Sequence, residues 1–278
     1  MNWKTLFTAG TDILPDDARK LMSSKKPQDI QLLDVRQPKE YERGHIAGSI
    51  LIPLKELPER IAEIDKEKTT LVYCHSGMRS KAATQILKGL GFKDVHNIKG
   101  GIRAWNGLKS IGSEVQGMEF FTSADFKNAF QMAYSMEQGL KELYMGLAET
   151  ISSMDQKELL LHMAQFEDGH MAKLQSMYNE EVPQEGEENP ALEGGFNQKE
   201  VMANYNGQIG NMTDIIELGM MLETQALDLY SRLARKSENP KIAGFYRQMA
   251  KEEQGHLNQL TRELDKILAG YNPWQDQS

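Results

Sequence analysis

The sequence predicts two domains of different class: an α/β domain on a parallel sheet, residues 1–110, followed by an all-α four-helix bundle, residues 122–270. Three observations carry this reading. Short apolar runs alternate with helical stretches only as far as about residue 105. From Ser123 onward the strand-like runs vanish and long helical periodicity takes over. Segments of the second half also repeat one another at a single offset. A chain of 278 residues has room for a core in each half. A linker is expected over residues 108–121, where glycines punctuate a polar run, and a tail over 271–278.

In the first half, residues 15–22 read as a short helix opened by Pro15. Residues 30–35, 71–73 and 95–98 read as strands. Residues 81–87 combine apolar spacing with good helix formers, and Gly89-Leu90-Gly91-Phe92 closes that helix. Strands alternating with helices imply a parallel sheet covered on both faces. Reactive groups in such folds gather at the carboxyl ends of strands. Cys74, the one cysteine of the chain, stands at such an end.

The loop Cys74-His75-Ser76-Gly77-Met78-Arg79-Ser80 joins a strand to a helix N-terminus. Loop amides and the helix dipole make this an anion cradle. A thiol at its first position is drawn toward the thiolate, which is the nucleophilic form. The alternative is an inert structural cysteine at a strand end. The loop alone leaves both readings open.

Its surroundings are more specific. Asp34-Val35-Arg36, Glu40-Tyr41, Gly44-His45-Ile46-Ala47-Gly48-Ser49 and Ile52-Pro53 precede the loop, and Gly100-Gly101-Ile102, Ala104 and Trp105 follow it. In this order they resemble the rhodanese signature over about residues 10–110. The resemblance implies a sulfurtransferase in which Cys74 takes up a sulfane sulfur as a persulfide and passes it to a nucleophile. Arg79 would orient the anionic donor and offset the charge on sulfur. His75, Ser76, Gly77, Met78 and Ser80 would form the donor-binding loop; a solvated loop side chain is the alternative for His75. Asp34, Arg36 and His45 are expected to brace the scaffold. Four residues separate Cys74 from Arg79, where phosphatases on the related fold have five. The shorter cradle suits sulfur better than a tetrahedral phosphate.

Composition narrows the classes further. A net charge of −8 argues against nucleic acid or an anionic membrane as the main partner. One cysteine excludes an internal disulfide, and the absence of Cys-x-x-Cys excludes a rubredoxin or zinc-ribbon module. No signal peptide or bilayer-spanning run is legible, so a cytoplasmic protein is expected.

The second half predicts helices over about residues 123–152, 155–180, 208–237 and 240–269. Ser123 offers a cap for the first, and Asn239-Pro240 opens the last. Residues 181–190, acidic and helix-breaking, form a long crossover between the second helix and the third. Residues 136–144 align with 222–230, and 166–170 with 252–256, both at one offset (223 − 137 = 86; 253 − 167 = 86). This is a duplicated helix pair.

Glu-x-x-His sets a carboxylate and an imidazole one turn apart on one helix face. Glu167 with His170 and Glu253 with His256 form two such pairs, and Glu137 and Glu223 come from the other two helices. That is the ligand set of a carboxylate-bridged dinuclear metal site. Two iron ions are the expected occupants, with manganese and zinc as alternatives. For any one of these residues alone a solvated helix face is the simpler reading; six in order, in a repeat, favour the metal. Tyr144 and Tyr230, seven residues past the glutamates, could donate hydrogen bonds to the ligands. Met163, Met171, Met220, Met221 and Met249 read as core filler.

With this pattern, residues 122–268 resemble the rubrerythrin branch of the ferritin-like superfamily. Met220 stands where rubrerythrins carry a further glutamate, and the rubredoxin cysteines that would deliver electrons are absent. The leading expectation is therefore a rhodanese-type sulfurtransferase fused to a ferritin-like diiron bundle. Thiosulfate or a small persulfide would be the donor, and an external thiol or cyanide the acceptor. One alternative is a diiron peroxidase or oxygen-handling protein with the rhodanese domain accessory, fed by an external electron donor. The other is a non-catalytic metal-binding or oligomerising scaffold. A homodimer is expected by analogy with ferritin-like bundles.

Overall fold

The computed structural model describes residues 12–107, 109–113, 126–178, 191–192, 196–197 and 211–269. The chain divides into two compact units, Met1–Glu114 and Val115–Ser278.

In the first unit the elements run β1 (Asp12–Ile13), α1 (Pro15–Ser24), β2 (Ile30–Asp34), α2 (Pro38–Glu42), β3 (Ile50–Leu51), β4 (Thr69–Tyr73), α3 (Met78–Gly89), β5 (Val95–Ile98) and α4 (Gly101–Ala104). The strands form one parallel sheet in the order β1-β5-β4-β2-β3, with Leu33 opposite Val72 and Leu71 opposite His96. β4 is central, and all five of its residues are buried. Alternation along the strands separates two cores. Leu32, Leu71 and Tyr73 pack with Ala18, Ile98 and Trp105 on one face, while Leu33, Val72 and Cys74 pack with Ala83 and Leu87 of α3 on the other. Strand period therefore sets Cys74 at the end of the central strand, on the face that α3 covers.

β1 and β3 were not legible as strands, because two residues carry no period; each exists through pairing with a longer neighbour, β5 or β2. Asp34 and Arg36 brace the turn after β2. Arg36 Nη2 donates to Asp34 Oδ2 at 2.6 Å and to the Gly44 carbonyl at 2.8 Å, and both side chains are buried. His45 stacks on Tyr41 with centroids 3.6 Å apart, and its backbone bridges Ser110.

The first turn of α4 locks the cysteine loop from behind. The amide of Ile102 donates to the Cys74 carbonyl at 2.8 Å, and that of Arg103 to the His75 carbonyl at 3.2 Å. This approach requires glycine at position 101. Its φ is +59°, and a Cβ there would lie 2.2 Å from the Cys74 carbonyl oxygen.

The second unit contains α5 (Phe126–Thr150), α6 (Met154–Tyr178), β6 (Ala191–Leu192), β7 (Phe196–Asn197), α7 (Met212–Lys236) and α8 (Pro240–Leu268). α5 packs along α6 and α7 along α8. β6 and β7 correct the expectation that strands end at Ser123: they pair antiparallel, with Ala191 opposite Asn197. Acidic and Gly-rich sequence around them hides so short a ribbon. The cap at Ser123, most of the linker, the crossover over 181–190 and the tail over 271–278 lie outside the described residues. α7 opens on a reciprocal cap, in which Asn211 Oδ1 accepts from the Asp214 amide and Asp214 Oδ2 from the Asn211 amide. Asn239 caps α8 ahead of Pro240.

Two apolar clusters divide the bundle. One gathers Leu140, Leu147, Leu160, Leu222 and Leu260; the other gathers Phe130, Met136, Leu174, Leu229 and Phe245. On every helix the predicted ligands fall in sequence between residues of the two clusters: Glu137 between Met136 and Leu140, Glu253 and His256 between Met249 and Leu260. Met163, Met171 and Met249 are buried, and Met220 and Met221 pack against the first cluster. Among the described residues no helix is long and apolar enough to cross a membrane.

Gly101→Ala is expected to destabilise the protein by about 2 kcal/mol or more, through backbone strain and collision with the cysteine loop. Gly89→Ala, whose Cβ would meet nothing within 4 Å, should be neutral or stabilising by up to about 1 kcal/mol. Urea denaturation of the two variants checks the contrast.

Candidate functional site

The strand–loop–helix at Cys74 places donors around the sulfur. Gly77, at φ +94°, turns the loop so that its amide donates to Cys74 Sγ at 3.1 Å. The Ser80 hydroxyl, from the first turn of α3, lies 3.4 Å from the same sulfur. Burial opposes ionisation, since Cys74 is only 1 % exposed. The Ser80 hydroxyl and the amides of Ser80, Ser76 and Gly77 outweigh it, and the thiol is held below its ordinary value. Of the predicted loop, Ser76, Gly77 and Ser80 thus converge on the sulfur. His75 and Met78 present exposed side chains, Met78 to 75 %.

Arg79 has a partner that the sequence did not reveal. Its Nη1 and Nη2 donate to Glu40 Oε2 and Oε1, each at 2.7 Å, in a fork across 39 residues of sequence. The fork takes two of the five guanidinium N–H groups, and Arg79 also hydrogen-bonds Cys74, so its remaining donors face the sulfur. Arg79 is held above its ordinary value, chiefly by Glu40 and further by the charge of Cys74. Glu40 is pulled down to about 2 by its hydrogen bonds from Arg79, with the Gln37 amide also donating. A depressed carboxylate stabilises the fold above its unfolded value of 4.5 and loses that contribution as pH falls through about 2. The clasp is therefore intact throughout the neutral range. Glu40 belonged to the motif, but nothing in its local sequence tied it to a residue so distant.

In the bundle the six predicted ligands come together as two groups, Glu137–Glu167–His170 and Glu223–Glu253–His256, each with its ligand atoms within 4.8 Å of one another. The repeat is visible as matched geometry. His170 Nδ1 lies 2.8 Å from Glu167 Oε2 and 3.3 Å from Glu137 Oε2; His256 Nδ1 lies 3.0 Å from Glu253 Oε2 and 3.2 Å from Glu223 Oε2. The two imidazoles stack with centroids 3.6 Å apart, which brings the groups into one layer. All four glutamates are buried. Burial works to lower the charge on His256, but the Glu223 carboxylate outweighs it and raises the imidazole above its ordinary value. Burial likewise works to raise Glu223, and its hydrogen bond from His256 outweighs that, holding the carboxyl below its ordinary value.

These residues fit a metal pair. Glu137 Oε1 is buried with no hydrogen-bond partner, a costly state that a cation relieves. Carboxylate and imidazole donors in this ratio suit iron, manganese or zinc. Tyr144 and Tyr230 are both fully buried, and Tyr144 lines a cavity with Glu167, His170 and Glu223.

Comparison with known proteins follows the same division. The rhodanese-like domain family matches residues 14–108, and the rubrerythrin family matches residues 128–264. The uncharacterized protein YqhL of Bacillus subtilis is 44 % identical over 77 residues, 28 % of this chain; the chain spans 61 % of that relative's length. The thiosulfate sulfurtransferase GlpE of Coxiella burnetii is 40 % identical over 80 residues, covering 29 % of this chain and 75 % of that protein. A rhodanese-like domain protein from Staphylococcus aureus, known from its crystal structure, is 29 % identical with a TM-score of 0.34, over 37 % of this chain and all of that one.

Ser80→Ala should slow alkylation of Cys74 by iodoacetamide at pH 7 by roughly tenfold, the worth of one hydrogen bond to a charged group. A pH–rate profile of alkylation checks it, with the inflection moving up in the variant. The chain belongs to the rhodanese-like family through its first half and carries a rubrerythrin domain in its second.

Proposed function

We propose that the first domain is a thiosulfate-type sulfurtransferase with Cys74 as its sulfur carrier. The observation that carries this is the ring of donors from Ser76, Gly77 and Ser80 around Cys74 Sγ. The Cys74 thiolate attacks the outer sulfur of thiosulfate. The S–S bond of the donor breaks, sulfite leaves with the bonding pair, and Cys74 becomes a persulfide anion. A nucleophile then takes the terminal sulfur and returns the thiolate; with cyanide the product is thiocyanate. Arg79, clasped by Glu40, steers the anionic donor with its remaining N–H groups. The donors that favour thiolate serve the persulfide anion equally. Cys74 is the chain's one cysteine, so a thiol acceptor must come from another molecule.

A second reading belongs to the bundle and is favoured by the two matched Glu–Glu–His groups. Glu137, Glu167, His170, Glu223, Glu253 and His256 would hold two iron ions. A dinuclear iron pair, when bound, supplies redox chemistry toward oxygen or peroxide. The chain's own part is to hold four buried carboxylates and two partly exposed imidazoles in one layer and to shape the cavity beside Tyr144. Electrons would come from an external donor.

Wild-type protein is expected to transfer sulfur from thiosulfate to cyanide, Cys74→Ala to fall to background, and Arg79→Leu to lose at least about tenfold in kcat/KM. Equal rates in wild type and Cys74→Ala would overturn the first reading. Iron reconstitution is expected to give about two ions per chain, and clearly fewer after His170→Ala; a wild type that retains less than about one would overturn the second.

A further inference from the structure

The duplication that builds the ligand layer also builds two cavities, and they differ in the property that matters to an ion. The first, about 20 Å³, reaches Glu137 and His170 and is lined by Lys173, Gln248 and Glu252. The second, about 10 Å³, reaches Glu223 and His256, touches Glu167 and His170 as well, and is lined by Phe166 and Gln259. The repeat offset converts one lining into the other: Phe166 corresponds to Glu252 and Lys173 to Gln259, as Glu137 does to Glu223.

At the first cavity Lys173 Nζ donates to Glu252 Oε2 at 2.6 Å, from α6 to α8, and Gln248 Nε2 donates to the other oxygen of Glu252. Both charged side chains meet solvent, Lys173 at 51 % and Glu252 at 24 % exposure. In the duplicate, Phe166 stands where Glu252 would be and meets His162 edge-on, with centroids 4.4 Å apart.

A divalent cation entering a protein must exchange water for protein oxygens as it goes. Glu252 offers a carboxylate in the cavity that Glu137 also lines; the ring of Phe166, in the other cavity, offers none. An ion pair as exposed as Lys173–Glu252 opens readily. The ammonium of Lys173 occupies the place of an arriving cation, which competes with it for Glu252.

We propose that the Lys173–Glu252 pair is the port through which divalent cations reach the six-ligand layer, and that Phe166 closes the duplicate path. This rests on the reading of those six residues as a metal site. The test is stopped-flow uptake of Co²⁺ by the full-length apoprotein, followed by the visible absorption of the bound ion. Wild type, Glu252→Gln, Lys173→Met and Phe166→Leu are compared, with helix content checked by circular dichroism. All four should bind about two Co²⁺ per chain. Glu252→Gln should load about fivefold more slowly and Lys173→Met about threefold faster, both differences shrinking at high salt, as expected for a focused charge. Phe166→Leu should load at the wild-type rate. Full loading with rates indifferent to positions 252 and 173, or altered only in Phe166→Leu, would overturn the port. A wild type that binds no Co²⁺ would overturn the metal-site reading instead.

Discussion

The second domain depends on the burial of four carboxylates in one layer. Glu137, Glu167, Glu223 and Glu253 are each at most 3 % exposed. Isolated charges in such a place would cost far more than a domain's stability allows. The raised imidazole of His256, set against the Glu223 carboxylate, is the sign of that strain on the electrostatics. Two divalent cations would balance four carboxylates and leave the imidazoles neutral, as ligation demands. The apolar clusters that flank the ligands along each helix then make sense as walls that fix them in place.

The first domain solves the opposite problem, holding a single anion on sulfur, by the same means of fixed donors. Burial alone would make Cys74 inert, and the amides and hydroxyl of its loop reverse that outcome. Their positions depend on backbone that only glycine can supply, at Gly77 for the turn and at Gly101 for the contact with α4. The Glu40 clasp sets Arg79 in one place and still leaves it N–H donors, because the fork occupies two of the five. Arg36 and Asp34, though as charged as Arg79 and Glu40, are wholly buried and paired, and their work is to hold the turn.

Much of this was legible in the sequence because it follows from period. The Glu-x-x-His spacing and the 86-residue repeat, from Glu137 to Glu223, place six side chains on inward faces of four helices without any tertiary information. Strand alternation likewise placed Cys74 at the end of a buried strand. What stayed hidden depends on contacts distant in sequence. Glu40 meets Arg79 only because β2 lies beside β4 in the sheet. β1 and β3 are too short to carry a period, and the β6–β7 ribbon sits in acidic sequence that resembles a simple crossover. The unlike linings of the two bundle cavities were present in the repeat as Phe166 against Glu252, but their meaning needed Lys173 across the helix pair.

If the buried carboxylate layer exists to hold metal, the ions must sit among its six ligand residues. Crystal diffraction from iron-loaded protein, with data collected on both sides of the iron absorption edge, tests it most directly. Two anomalous peaks are expected within the layer, one against Glu137, Glu167 and His170 and one against Glu223, Glu253 and His256. An anomalous map with no peak among these six residues would contradict the account.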